Sequence, residues 1–117
     1  MASFDLSYDS DDDVLEACFE VFDDSLARAI SLNDSIVVFE NRSLTTVWAI
    51  TLYAYRSLLA VGETALTGLR DLSEDEAEAV LATLEVGPAT HFLEISDPEE
   101  LVARVLMPHL QDLVEDA

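Results

Sequence analysis

The 117-residue sequence contains no lysine, and its only bases are five arginines and two histidines against twenty-five carboxylates. No basic cluster is present to neutralise phosphates, so direct nucleic-acid binding is not expected. A single cysteine, Cys18, excludes an internal disulfide framework. Only three glycines occur, Gly62, Gly68 and Gly87, and their wide spacing excludes a glycine-rich phosphate loop. There is no internal repeat and no low-complexity tract. The chain opens Met1-Ala2-Ser3-Phe4-Asp5 and runs into acid, the reverse of a basic stretch followed by an apolar one. A cytoplasmic or intravirion location is therefore expected rather than secretion.

What remains is rich in apolar residues and in acid. Half of the sequence is hydrophobic, so a net charge of −20 does not mark a disordered tail. Asn and Gln are also scarce, with Asn33, Asn41 and Gln111 alone. Loss of lysine, retention of arginine and excess of acid pervade the whole chain. That bias resembles the composition of proteins from salt-loving archaea. In molar salt the Debye length falls to about 3 Å, so dense like charge costs little, whereas at low salt the same repulsion opposes compaction.

Along the chain the charge is uneven. Residues 1–40 carry eleven acids against Arg28, and residues 71–117 carry thirteen against Arg104. Residues 41–70 carry only Glu63 against Arg42, Arg56 and Arg70. A neutral, apolar centre between acidic flanks is expected to form the core or a subunit contact. Residues 1–10 read as an acidic N-terminal arm and 11–117 as one globular domain.

The expected fold is mainly α, a compact bundle of four to five helices with one or two short strands. Apolar residues from Val14 to Ile30 recur at three- and four-residue spacing, which predicts a first helix from Asp11–Asp13 to about Leu32. Residues 35–40 read as a β-branched strand. Residues 44–61 read as a helix closed by Gly62, because Leu44, Trp48, Leu52, Tyr55 and Leu59 follow helical spacing and Ser43 suits an N-cap. The alternative is an α+β fold with a hairpin at 35–55, which the β-branched residues of this stretch support. A shorter helix is expected over 63–72. Ser73-Glu74-Asp75-Glu76 is a capping box opening a helix that stops at Gly87-Pro88. A second short strand is weighed at 90–95. Asp97-Pro98 then reads as the start of a last helix, kinked at Pro108. A membrane span at 44–61 is not expected, since Arg56 sits within it and Trp48, Tyr53 and Tyr55 are not at its ends.

No constellation names a reaction. His91 with Glu94, and His109 with Asp112, have i, i+3 spacing but lack a third ligand type, so no metal is expected. Cys18, on the apolar face of the first helix, reads as a buried, inert thiol. The tripeptides beginning at Asn33 and Asn41 match N-glycosylation acceptors but read as turns. No cofactor is expected, and the chain reads as non-enzymatic.

Two functions fit. The first is a small interaction or assembly protein of a halophilic archaeon or its virus: an oligomeric adaptor, regulator or virion component with a protein partner or a second copy. Its expected interface is the neutral centre, with Trp48, Tyr53, Tyr55, Arg42, Arg56 and Arg70, since aromatics and arginine anchor interfaces. The alternative is a DNA-mimic inhibitor. There Asp13, Glu16, Glu20, Asp23 and Asp24, as a stripe on the first helix, would imitate phosphates.

Overall fold

A computed structural model describes residues 5–20, 24–86 and 88–106. Its strands are β1 (Asp5–Asp9), β2 (Val14–Cys18), β3 (Ala27–Ser31), β4 (Ile36–Asn41), β5 (Val47–Tyr53), β6 (Glu63–Ala65), β7 (Leu93–Asp97) and β8 (Val102–Val105). Two helices, α1 (Tyr55–Val61) and α2 (Glu74–Leu84), and short 3-10 turns complete the described chain. The expected helical bundle is therefore overturned. The protein is mostly β, with a five-stranded sheet in the order β1-β2-β5-β4-β3 and a three-stranded sheet in the order β6-β8-β7. Every pairing is antiparallel. Strands β3, β4 and β5 form a meander, and β2 lies beside β5 after a long connection, which is Greek-key topology.

The expected first helix is instead β2, a 3-10 turn and β3. Leu15 and Ala17 point into the core, while Val14, Glu16 and Cys18 point outward. Val14 and Cys18 are apolar on the outer face, which imitates an i, i+4 pattern. Residues 44–61 divide into β5 and α1, and 36–41 pair with 47–53 as a hairpin containing a register shift at Phe39/Glu40. Residues 63–72 are β6 and a 3-10 turn at Thr67–Asp71 rather than a helix. The last helix expected from Asp97 is also absent from the described residues, because β7 turns there into β8.

The hairpin loops share one device. Asp9 Oδ1 accepts from the backbone N–H groups of Asp11 and Asp12, and Asp97 Oδ1 from those of Glu99 and Glu100. Asn33 Oδ1 accepts from Ser35 and Ile36, and Asn41 Oδ1 from Thr45 and Thr46. Such side chains satisfy orphan donors in a turn as they do at a helix start. Asp13, Leu44 and Leu101 take positive φ near the loop ends, at 56°, 57° and 59°. Both glycosylation-like tripeptides thus begin with an asparagine that organises a turn.

The inner face of the large sheet is built from cross-strand rows. Leu15, Leu52 and Ile36 form one, and Ala17, Ile50, Val38 and Ile30 another. They join one core with Leu66, Leu69, Val80, Leu84, Phe92 and Leu93 from the second layer. The two layers also meet through backbone. A Cβ on Gly68 would stand 1.8 Å from the carbonyl oxygen of Ser31, so only glycine fits there. The Gly68 N–H donates to Leu32 O at 2.8 Å.

α2 begins as its sequence indicates. Ser73 Oγ accepts from the N–H of Glu76 at 3.2 Å, and Glu76 Oε1 accepts from the N–H of Ser73 at 3.4 Å. Gly62, with φ 82°, follows the end of α1. Among the described residues no helix is long and apolar enough to cross a membrane.

Candidate functional site

Because side chains alternate along a strand, register decides what the outer face of the large sheet presents. One row reads Asp5, Cys18, Ala49, Phe39, Ala29, and the next reads Ser7, Glu16, Thr51, Val37, Ser31. At one end Asp9, Val14 and Tyr53 continue the pattern. Small residues in the middle of these rows leave a groove of about 570 Å³, lined by Glu16, Cys18, Ala29, Phe39, Thr51 and Tyr53 among others. Ala49 and Thr51 are buried on its floor, while Ala29 and Tyr53 are exposed.

The six residues expected at an interface do not converge. Tyr53 is one of them and lies at the groove, 45% exposed. Trp48 is half-buried near the register shift of the β4–β5 pair. Tyr55 is buried, donates from its hydroxyl to Leu106 O at 3.0 Å, and packs edge-on against Tyr8. Arg42 follows β4 and donates to Ser25 O at 2.8 Å. Arg56 follows β5 at the opposite end of the hairpin, and Arg70 is exposed after β6.

Arg56 has a structural partner set. It donates to the Tyr8 hydroxyl at 3.0 Å and to Ser10 O at 3.1 Å, and lies 3.4 Å from Asp13. Tyr8 in turn donates to Asp13 Oδ1 at 2.6 Å. The Asp13 carboxylate also accepts the backbone N–H of Arg56, so it caps α1 from a distant turn. These donors, Tyr8 first and Arg56 after it, hold the Asp13 carboxyl below its ordinary value.

The expected carboxylate stripe has lost its helix. Asp13 is in the β1–β2 turn, Glu16 faces outward from β2, and Glu20 is exposed beyond that strand. Asp23 and the side chain of Asp24 lie outside the described residues. Cys18 is half-buried on the groove side of β2 rather than on a helix face, and its thiol donates to Glu20 O at 3.1 Å. His91 is half-buried in a 3-10 turn, and His109 lies outside the described residues. Among the described residues no three His, Cys, Asp or Glu side chains gather as a metal site.

The residue missed by sequence reading is Glu40. It is fully buried on the inner face of β4, continuing the row positions of Ile36 and Val38. Its Oε2 lies 3.0 Å from Thr83 Oγ1 on α2, while its Oε1 has no hydrogen-bond partner. Burial pushes its carboxyl up from 4.5 to about 7, against the opposing pull of Thr83 and Arg28. The signal in the sequence was its position, since an acid at i+4 from Ile36 in an alternating strand must share the buried side.

Searches against protein-family models, curated proteins and solved structures return no match to this chain.

Proposed function

We propose that this is a non-enzymatic interaction protein that docks a protein partner, or a second copy of itself, on the outer face of its five-stranded sheet. The observation that carries this reading is the groove across that face, with small, nearly neutral side chains in the middle and Tyr53 at one end. Small floor residues admit side chains from a partner, and an exposed tyrosine adds rigid contact area at low entropic cost. Acid on these rows sits at the β1–β2 side, in Asp5, Asp9 and Glu16, so the centre of the face and its β3–β4 side, with Ala49, Thr51, Phe39, Val37, Ala29 and Ser31, carry no charge. The remaining carboxylates serve hydration in salt, as in a protein of a halophilic archaeon or its virus, within the cytoplasm or a virion. A DNA-mimic role has less support, because the continuous helical stripe that motivated it is replaced by a turn and a strand.

Light scattering in molar KCl tests the reading, using the wild type and Ala29→Arg. Ala29 is exposed at the side of the groove, so the substitution fills the groove without entering the core. The expected result is concentration-dependent association of the wild type, alone or with its partner, that Ala29→Arg abolishes. Association equally strong in the variant, or none in either protein, contradicts the proposed surface.

A further inference from the structure

Glu40 is not part of the outer groove, and its surroundings have a logic of their own. It stands opposite Arg28 on β3 and, across the register shift, opposite Val47 on β5. α2 covers it with Thr83, whose hydroxyl oxygen lies 2.7 Å from the Val80 carbonyl oxygen and 3.0 Å from Glu40 Oε2. A hydroxyl has one proton and cannot donate to both. Both contacts are hydrogen bonds at once only when the Thr83 hydroxyl donates to the Val80 carbonyl and a protonated Glu40 donates to Thr83.

The neutral acid thus completes a chain from Glu40 to Thr83 to the Val80 carbonyl. It leaves only the carbonyl-type oxygen Oε1 without a partner. Ionisation undoes this arrangement, because a buried carboxylate needs donors. The Thr83 hydroxyl would have to turn away from Val80 to supply one. Arg28 is the nearest cation, but its guanidinium is held 2.8 Å from Glu76 in the first turn of α2. Among the described residues, the charged groups facing Glu40 are therefore Arg28 from β3 and, behind it, Glu76 from α2. β5 presents apolar Val47.

From this geometry we infer that the Glu40–Thr83 contact is a proton-controlled latch between the five-stranded sheet and α2, closed when Glu40 is neutral and loosened when it ionises. The Arg28–Glu76 pair fastens the N-terminal turn of the same helix. Opening the latch frees the C-terminal turns, or draws Arg28 away from Glu76 and frees the other end. Either route lowers the hold of α2 on β3 and β4.

The test uses the whole protein in constant molar KCl, so that general charge repulsion stays screened as pH changes. Carbon-detected NMR follows the Glu40 carboxyl of the wild type, and hydrogen exchange follows the amides of α2 and β5 at pH 5 and pH 8. After correction for intrinsic rates, the α2 amides should lose roughly tenfold in protection relative to β5 at the higher pH, as expected of a locally opening unit. The Glu40 carboxyl should titrate near neutrality, and Glu40→Gln, which mimics the neutral acid, should abolish the pH-dependent change. Titration of Glu40 in the ordinary carboxylate range, or equal α2 protection at both pH values, overturns the latch. Both decisive readings come from the wild type and hold whether or not the variant folds.

Discussion

Arg28 on β3 and Glu76 in the first turn of α2 meet at 2.8 Å, although 48 residues separate them in the chain. The same Glu76 carboxylate accepts the N–H of Ser73 through its other oxygen. One side chain therefore completes a local cap and joins two layers of the fold. These partners, Arg28 first and Ser73 second, hold the Glu76 carboxyl below its ordinary range.

Ser73→Ala removes the hydroxyl that accepts the N–H of Glu76. Loss of an N-cap of this kind costs about 1 kcal/mol. Denaturant unfolding in molar KCl should show that loss. Glu76→Gln should cost less, because it keeps an oxygen for Ser73 and gives up an ion pair more than a third exposed on both sides.

Gly68→Ala places a methyl group against the backbone carbonyl of Ser31, which no rotamer can relieve. Separating the Thr67–Asp71 turn from the end of β3 should destabilise the fold by about 1–3 kcal/mol, the usual scale of overpacking. A thermal midpoint equal to that of the wild type would show that the layers do not approach so closely.

Asp13 combines a positive φ with the capping of α1 and a hydrogen bond from Tyr8. Asparagine tolerates that backbone conformation and keeps an acceptor, whereas alanine does neither. Thermal midpoints should therefore fall in the order wild type, Asp13→Asn, Asp13→Ala. Equal values for the two variants would remove the capping role.

Stability should also depend on pH in two opposed ways. The folded protein raises Glu40 from 4.5 to about 7, so it binds that proton more tightly than the unfolded chain does. The Glu40 contribution is complete below about pH 4.5 and is lost as pH rises through about 7, a change on the order of 3 kcal/mol. Asp13 and Glu76 are lowered instead, so their contributions are present above their ordinary values of 3.8 and 4.5 and are lost as pH falls. Unfolding measured at fixed high salt should show greatest stability in the mildly acidic range. In Glu40→Gln the decline toward neutral pH should flatten.

Several local features were legible in the sequence for physical reasons. The Ser73–Glu76 capping box depends on residues three apart, and the strand at 36–41 is a β-branched run between turn residues. The larger architecture was not legible, because the usual contrast between strand faces is missing. β5 is buried on both faces along most of its length, so Val47 to Leu52 reads as an apolar run broken only by Thr51, with no period of two. β2 has apolar Val14 and Cys18 on its outer face, and the result resembles helical spacing. Asp97 bonds to the next turn of backbone as an N-cap would, and only the pairing of β7 with β8 distinguishes the two. The groove was hidden for a further reason. Cys18, Ala49, Phe39 and Ala29 become neighbours only through the register of four strands.

Folding followed by circular dichroism during a KCl titration tests the central claim most directly, that the carboxylates serve solvation in salt while the function belongs to the uncharged centre of the outer sheet face. At molar KCl the Debye length is about 3 Å and the repulsion among surface acids is largely screened. The expected result is a cooperative gain of β-type signal as KCl approaches the molar range, with little structure at low salt. A fully folded protein across the whole titration would contradict the claim and point the acid toward a basic partner instead.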